Sequence, residues 1–442
     1  MADIEASRPT SAEGQTHDQE KGCGTTRTKL GHDINRSNNL FHKFLRLGRV
    51  EEQGIEPIPL AERTSTRYLN AFTVWCSMNA NILPRYLVSV PVVLNLATLT
   101  GFCVIICVVG GQCLSAVTNG ALSPHLGIVL IALLSLLISF CGFKVLHFYE
   151  TYAFVPAVIA IVIATGCGGS KLKQQTEMAP ATAPPVLSFG MIVASYMIPW
   201  ACIASDLTTY FDPRVQGVSY LGLVIPTILL MTLGSAIGGA IANVPEWQEG
   251  YDQTLVGGVL AAMLSPAGGF GKFVVVILAF TLLGNVSGTM YAITLNFQTL
   301  APWLVGVPRY VFSIIVTAIM IPVAIKAAND FFLNLENFVA LIGYWSASFV
   351  GIVVAEHFVF RKGDARQYDH HSWNIASSLP SGIAALGAGI LSFGLVIPCM
   401  AQAWWTGPIA KTTGDIGFEV AFILSALFYI PLRSLERRVL RR

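Results

Sequence analysis

Residues 87–117 read LVSVPVVLNLATLTGFCVIICVVGGQCLSAV, thirty-one positions without one charged side chain. An α-helix crosses the hydrocarbon core of a bilayer in about 20 residues, so this run has length to spare. A barrel strand would need about 10 residues of alternating polarity, and this run neither stops there nor alternates. Only helices and closed barrels satisfy the backbone in lipid. The stretch therefore reads as a transmembrane α-helix, and the rest of the chain is judged against it.

Nine further runs pass the same test, at 125–143, 149–167, 187–205, 218–243, 272–300, 308–327, 338–359, 379–403 and 416–432. An eleventh, 68–84, is shorter and carries Asn70, Asn79 and Asn81; it is expected not to cross. Composition agrees. Hydrophobic residues make up 54% of the 442 and charged residues 12%, about half the usual charged share of a soluble domain. Mean hydropathy is +0.62. Twenty of the 52 Lys/Arg/Asp/Glu crowd into the first 67 residues, a polar segment too poor in apolar side chains to bury a core. The expected organisation is a disordered tail over 1–66, a membrane domain over 67–432 and a basic tail over 433–442. A soluble enzyme, a nucleic-acid binder (net charge is only +2) and a disulfide scaffold are excluded. The nine cysteines show no metal-ligand spacing, and the N-terminus has no apolar leader segment.

Lys/Arg bias orients such a chain. With Arg85 on the cytoplasmic side and ten crossings after it, that side collects twelve Lys/Arg in loops and C-terminal tail. The other side holds Lys171, Lys173, Lys272, Lys326 and Lys411. Both termini are then cytoplasmic.

In a helical bundle, function sits where helices break and polar groups face inward. The first such place is SYMIPWACIASDLTTY (195–210). Pro199 lacks an N–H and crowds the preceding turn, so the helix is expected to break there. Trp200 then offers a flat π surface beside freed backbone, and Asp206 a titratable carboxylate. A plain Pro kink with an interfacial Trp and a helix-end Asp explains the same residues. The second place is LLGNVSGTMYAITLNFQ (282–298), where Gly284, Asn285, Ser287, Gly288 and Thr289 interrupt an apolar run. They mark a second possible break and a ligand-facing amide, or simple close helix packing. A third, FFLNLENFVALIGYW (331–345), places Glu336 at a membrane boundary, where a carboxylate stays hydrated. No phosphate-cradling loop, zinc-protease motif or nucleophile elbow occurs, so no catalytic residue or metal ligand is expected.

Several of these stretches together resemble the fungal purine–cytosine permeases, a branch of the nucleobase–cation symport family: GRVEEQGIEPIPLAERTSTRYLNAFTVWCSMNANILP (48–84), VPVVLNL (90–96), GFKVLHFYETYAFVP (142–156), WACIASDLTTY (200–210), VPRYVFS (307–313), ENFVALIGYW (336–345) and EHFVFRKG (356–363). The resemblance implies an all-α polytopic transporter built from inverted five-helix repeats around a midplane site. It implies proton-coupled uptake of nucleobases or a related heterocycle, the plasma membrane as location, and no cofactor beyond the coupling cation. Trp200 would stack on the substrate ring and Asn285 would hydrogen-bond its edge. Phe102 would close the other face of the ring, and Asp206 is the candidate proton-coupling group.

The departures are equally specific. After Pro84 the chain jumps to RYLVSVPVVLNL, so part of the first helix and all of the second are missing, roughly sixty residues or more at ~20 per helix plus loops. Where the family has Gly-Trp followed by Asn, this chain has Gly101-Phe102 and Ile106. Where the family has Asn-Asn-x-Pro, it has Asn285-Val286-Ser287-Gly288. These changes admit a different small substrate, such as a vitamin B6-like compound or a specialised metabolite, and a truncated family member that does not transport. The lost helices predict weak uptake. Residue patterns leave the oligomeric state open and name no partner beyond substrate and lipid.

Overall fold

The uncharged run at 87–117 forms α1 (Ser89–Val117), the first helix of a computed structural model that describes residues 89–440 apart from 142, 178–179, 204–217, 301, 365–366 and 369–379. The expected tail at 1–66, the short run at 68–84 and Asp206 lie outside the described residues. After α1 come α2 (Pro124–Phe140), α3 (Phe143–Gly168) and α4 (Ala183–Met197), which passes into a 3₁₀ turn (Ile198–Ile203). Then follow α5 (Val218–Ala240), α6 (Pro245–Leu264), α7 (Gly268–Leu300), α8 (Arg309–Ala327) and α9 (Phe331–Ala355), extended by one π turn (Glu356–Phe360). The chain closes with α10 (Ile383–Cys399), a minimal antiparallel pair β1 (Ala401–Gln402) and β2 (Trp405–Thr406), the single turn α11 (Ala410–Thr413) and α12 (Gly417–Leu440).

Each of the ten apolar runs is thus a helix. Among the described residues, seven stretches are long and apolar enough to cross a membrane by themselves. In two of them consecutive helices follow so closely that they read as one, Pro245–Leu300 and Arg309–Phe360. The helices α2 and α10 are shorter, at 17 residues each. Ends are set locally where the sequence supplies a cap: Ser123 accepts the Leu126 N–H at 3.3 Å and Pro124 occupies the first turn of α2, a position that needs no N–H.

α7 is the central helix. Every residue from Val286 to Leu295 is buried, so almost three turns have no outward face, as in a helix enclosed on all sides. It packs on α1, α2, α3 and α8, and α1 in turn contacts α2, α6 and α8. The shared core includes Leu99, Cys103, Ile131, Met290, Ile293 and Met320. The α1–α2 approach depends on glycine: a Cβ on Gly111 would meet the Ile128 N atom at 2.8 Å, and one on Gly127 would meet the Gly111 Cα at 2.8 Å. A second group unites α9, α10 and α12, with α4 against α9. Outward faces are apolar, with Phe148, Val162, Ile228 and Leu229 exposed, as suits side chains solvated by lipid.

One element has no counterpart among the expected spans. Residues 245–264 form α6, but Thr254 (φ −143°, ψ 28°) and Leu255 (φ 52°, ψ −129°) break it into two arms. At 1.5 Å per residue each arm is about 14 Å long, too short to cross. The Val244-Pro245 start and three acidic residues within eight positions (Glu246, Glu249, Asp252) depress its hydropathy. The arms press together through Gly250 and Gly258, and Gly257 lies against the main chain of Gln112 on α1. Leu255 at the tip packs into the α1–α7 core.

The C-terminal boundary also moves. α12 continues without a break to Leu440, so Arg433, Arg437 and Arg438 stand on a helix. Arg433 is buried against Glu356, with Nε 3.5 Å from Oε2.

Candidate functional site

Pro199 ends α4 as a regular helix. The Ile198 N–H still reaches the Ala194 carbonyl, and from Ile198 to Ile203 the winding tightens to 3₁₀. The turn carries Trp200 to a cavity of about 310 Å³, within the size range of small-molecule sites. One wall is a face of α3, Tyr149, Ala153 and Ala157, spaced four residues apart so that they stack along the helix, with Phe154 beside them. The opposite wall is Thr281, Gly284, Asn285 and Gly288 of α7.

The break expected at Gly284 and Gly288 is absent: α7 runs through both as one helix of 33 residues. Two glycines cost a helix about 1 kcal/mol each. Burial of the flanking residues on all sides offsets that, and the missing side chains leave room for the cavity. The neighbouring polar groups divide their tasks. Ser287 donates to the Ser135 carbonyl on α2 at 3.2 Å, and Thr289 bonds back to the Asn285 carbonyl at 2.8 Å. Asn285 is different. Its side-chain Oδ1 is buried and has no hydrogen-bond partner, a costly state for an amide oxygen. Tyr149 donates to the Phe280 carbonyl at 2.5 Å, which fixes the ring at the edge of the cavity.

Phe102 does not line this space. It is 2% exposed and packs on the back of Trp200, with ring centroids 6.3 Å apart and planes 25° from parallel. Tyr196 and Phe338 meet it edge-on at 5.6 and 5.8 Å. Phe102 is therefore a partition. Beyond it lies a second cavity of about 630 Å³ between α1, α8 and α9, bounded by Gly101, Val104, Phe331 and Phe338, with Lys326, Asp330 and Asn334 among its lining. Ile106 is buried in the core. Asp206 lies outside the described residues, and Glu336 is exposed.

Two charged clusters flank the bundle. Glu246 at the start of α6 pairs with Lys171 at 3.3 Å; its own backbone N–H first, and Lys171 second, hold the carboxyl below the usual range. At the far end of α9, Glu356 is bonded by Arg361 (3.1 Å) and Tyr429 (3.0 Å) and faces Arg433. Burial pushes the Tyr368 hydroxyl beside this cluster up to about 12, with Arg361 opposing and Glu356 adding to the shift.

The family of permeases for cytosine/purines, uracil, thiamine and allantoin matches residues 86–378. The chain belongs to this family. It is 29% identical to the purine-cytosine permease FcyB of Emericella nidulans, over 92% of this chain and 93% of that one, and 30% identical to the purine-cytosine permease FCY2 of Saccharomyces cerevisiae, over 91% and 89%. The vitamin B6 transporter TPN1 of the same yeast is 28% identical over 76% of this chain and 69% of its own. Among solved structures the fold matches Mhp1, a nucleobase-cation-symport-1 family transporter in a closed conformation with bromovinylhydantoin bound, with a TM-score of 0.60 at 15% identity over 86% of this chain and 85% of that one. The chain is thus an all-α integral membrane permease of that family.

The alignment with the Emericella protein spans 475 positions, while 92% of 442 residues is about 407, so roughly 68 aligned positions have no residue here. The family match starts at residue 86, directly beyond Pro84. The α3 wall was not singled out in the sequence, although Tyr149 and Ala153 stand inside the quoted GFKVLHFYETYAFVP; the spacing of four between Tyr149, Ala153 and Ala157, small residues after an aromatic, is the signal that marks it.

Proposed function

We propose that this permease takes up a nucleobase-like planar heterocycle with a proton, and that the ring lies on the free face of Trp200. A ring between Trp200 and Phe102 would need about 7 Å, two contacts of ~3.5 Å; the 6.3 Å separation leaves no such gap. Trp200 and Asn285 line the same cavity. The observation that carries the reading is this pairing of an aromatic face with an amide whose oxygen lacks a partner. The relatives named for purines and cytosine extend it to that substrate class. The coupling ion is a proton, with Asp206 as the candidate group, and the protein works in the plasma membrane with both termini in the cytoplasm.

Turnover is low. We place the positions without a residue here after Pro84, where they would remove helices beside the cavity, and backbone left unpaired in lipid costs several kcal/mol per group. That observation also supports a second reading, a chain that binds the heterocycle without carrying it. Labelled cytosine and adenine uptake in yeast lacking its own permeases, with pyridoxine and unlabelled bases as competitors, tests both. Weak uptake that rises at acid external pH and collapses with a protonophore is the expected result. Absent uptake with ligand binding retained by the purified chain selects the second reading. Neither uptake nor binding of any nucleobase overturns the site.

A further inference from the structure

The helices α4, α9, α10 and α12 enclose a group of titratable side chains that the transport site does not use. Asp415, 2% exposed, accepts the Tyr344 hydroxyl at 2.5 Å and the Ala401 N–H at 2.8 Å on one oxygen, and the Gly417 N–H at 2.9 Å on the other. Its own N–H donates to Ser188 on α4 at 2.9 Å. Three converging donors are the surroundings of a carboxylate. One turn further along α12, Glu419 turns an oxygen, Oε2, into the protein with no hydrogen-bond partner.

A second orphan stands in the same group. Gln402 is 7% exposed, and its amide nitrogen donates to the Tyr344 hydroxyl at 2.8 Å, which seats the amide inside the cluster. Its Oε1 has no partner. The titratable groups of this neighbourhood are Asp415, Glu419, Tyr344 and the buried Cys399 at the end of α10. Lys411 of the intervening turn is exposed. No Lys, Arg or His among the described residues forms an ion pair with either carboxylate. Two buried acceptors without donors, beside a carboxylate without a countercharge, amount to a site short of one hydrogen. A metal ion fits poorly, because both Asp415 oxygens are already taken by donors.

We propose that Asp415 and Glu419 form a proton-binding site in which Glu419 Oε2 carries the proton and its O–H is the donor the cluster lacks. The step is a simple protonation, carboxylate plus one aqueous proton giving a carboxylic acid, with no other reactant. Loss of the proton places a second negative charge beside Asp415 and weakens the hold of Tyr344. Tyr344 is on α9, next to Trp345, whose indole N–H donates to Thr98 on α1 at 3.0 Å. Six residues earlier on α9, Phe338 packs against the Phe102 partition. The site is therefore placed to couple a proton to the fit of α9 against the substrate cavity. That consequence rests on the transport reading; the site itself does not.

The test reads the proton directly, so it stands whether or not the chain transports. Infrared difference spectra of the purified chain are recorded across a pH titration. The expected result is a carboxylic-acid carbonyl band present at neutral pH, lost in Glu419→Gln, retained in Glu336→Gln, whose parent side chain is exposed, and unchanged by added sodium. Should Glu419→Gln fail to fold, Asp415→Asn decides: the band stays and its loss moves to lower pH by about one unit or more, because the neighbouring negative charge that discouraged ionisation of Glu419 is gone. A band that persists in Glu419→Gln, no band at neutral pH, or a band abolished by sodium each overturns the proposal.

Discussion

The two cavities on either side of Phe102 differ in a way that size alone misjudges. The one between α1, α8 and α9 is about twice as large, 630 against 310 Å³, yet its wall is mainly aliphatic and aromatic, and its charged residues are Lys326 in the last turn of α8 and Asp330 in the turn that follows. The smaller one is lined by both an indole, Trp200, and an amide, Asn285, whose oxygen has no hydrogen-bond partner. Binding sites need a few fixed polar groups on an apolar surface, and the smaller cavity has them in its walls. Volume does not choose the site; placed polarity does.

Four changes would break or sharpen that contrast. Phe102→Ala removes the partition and joins the two spaces. A buried Phe→Ala change costs about 3–5 kcal/mol, so a large fall in melting temperature in detergent is expected, together with loss of selectivity between ligands. Trp200→Ala leaves the fold closer to wild type but removes the stacking face. Base–aromatic stacking is worth ~1–3 kcal/mol, so heterocycle affinity should fall about fivefold to a hundredfold by fluorescence or thermal-shift titration. Asn285→Leu removes the amide while filling similar space; one hydrogen bond at ~1 kcal/mol predicts a loss of about fivefold, larger for ligands with an N–H edge than for those without.

The smallest effect belongs to Glu246 and Lys171. The carboxyl of Glu246 is held below its ordinary range, so its pairing is present above the usual carboxylate pKa of about 4.3 and is lost as pH falls through the lowered folded value. The pair is exposed, and salt screens it. Hydrogen exchange in the first turn of α6, corrected for intrinsic rate, should loosen only in that acid window and at low salt, with ligand affinity at neutral pH untouched by Lys171→Ala.

How far the sequence could be read depended on whether one residue or a distance between residues carried the information. The ten spans were legible because length and apolarity are local properties, and α7 and α1 needed nothing else. α6 was not, because Glu246, Glu249 and Asp252 lower its hydropathy and its break at Thr254 and Leu255 is a backbone feature that no proline or glycine announces. Trp200 and Asn285 were both singled out, 85 positions apart, and line one cavity. Phe102 was singled out too, but sequence cannot give the 6.3 Å that excludes a ring from between it and Trp200. Gly284 and Gly288 look like breakers until the burial of α7 is known; enclosed on all sides, the helix keeps its winding. The buried Asp415 group drew no notice, since it joins residues from four separate stretches of chain.

The most direct measurement is ligand titration of the purified chain with cytosine and adenine, comparing Trp200→Ala with Phe338→Ala, a change confined to the larger cavity and the far side of the partition. Binding that is lost in Trp200→Ala and kept within about threefold (under 1 kcal/mol) in Phe338→Ala is the result expected if the substrate lies on the indole face. Binding lost in Phe338→Ala and kept in Trp200→Ala would place the ligand in the larger cavity and contradict the account.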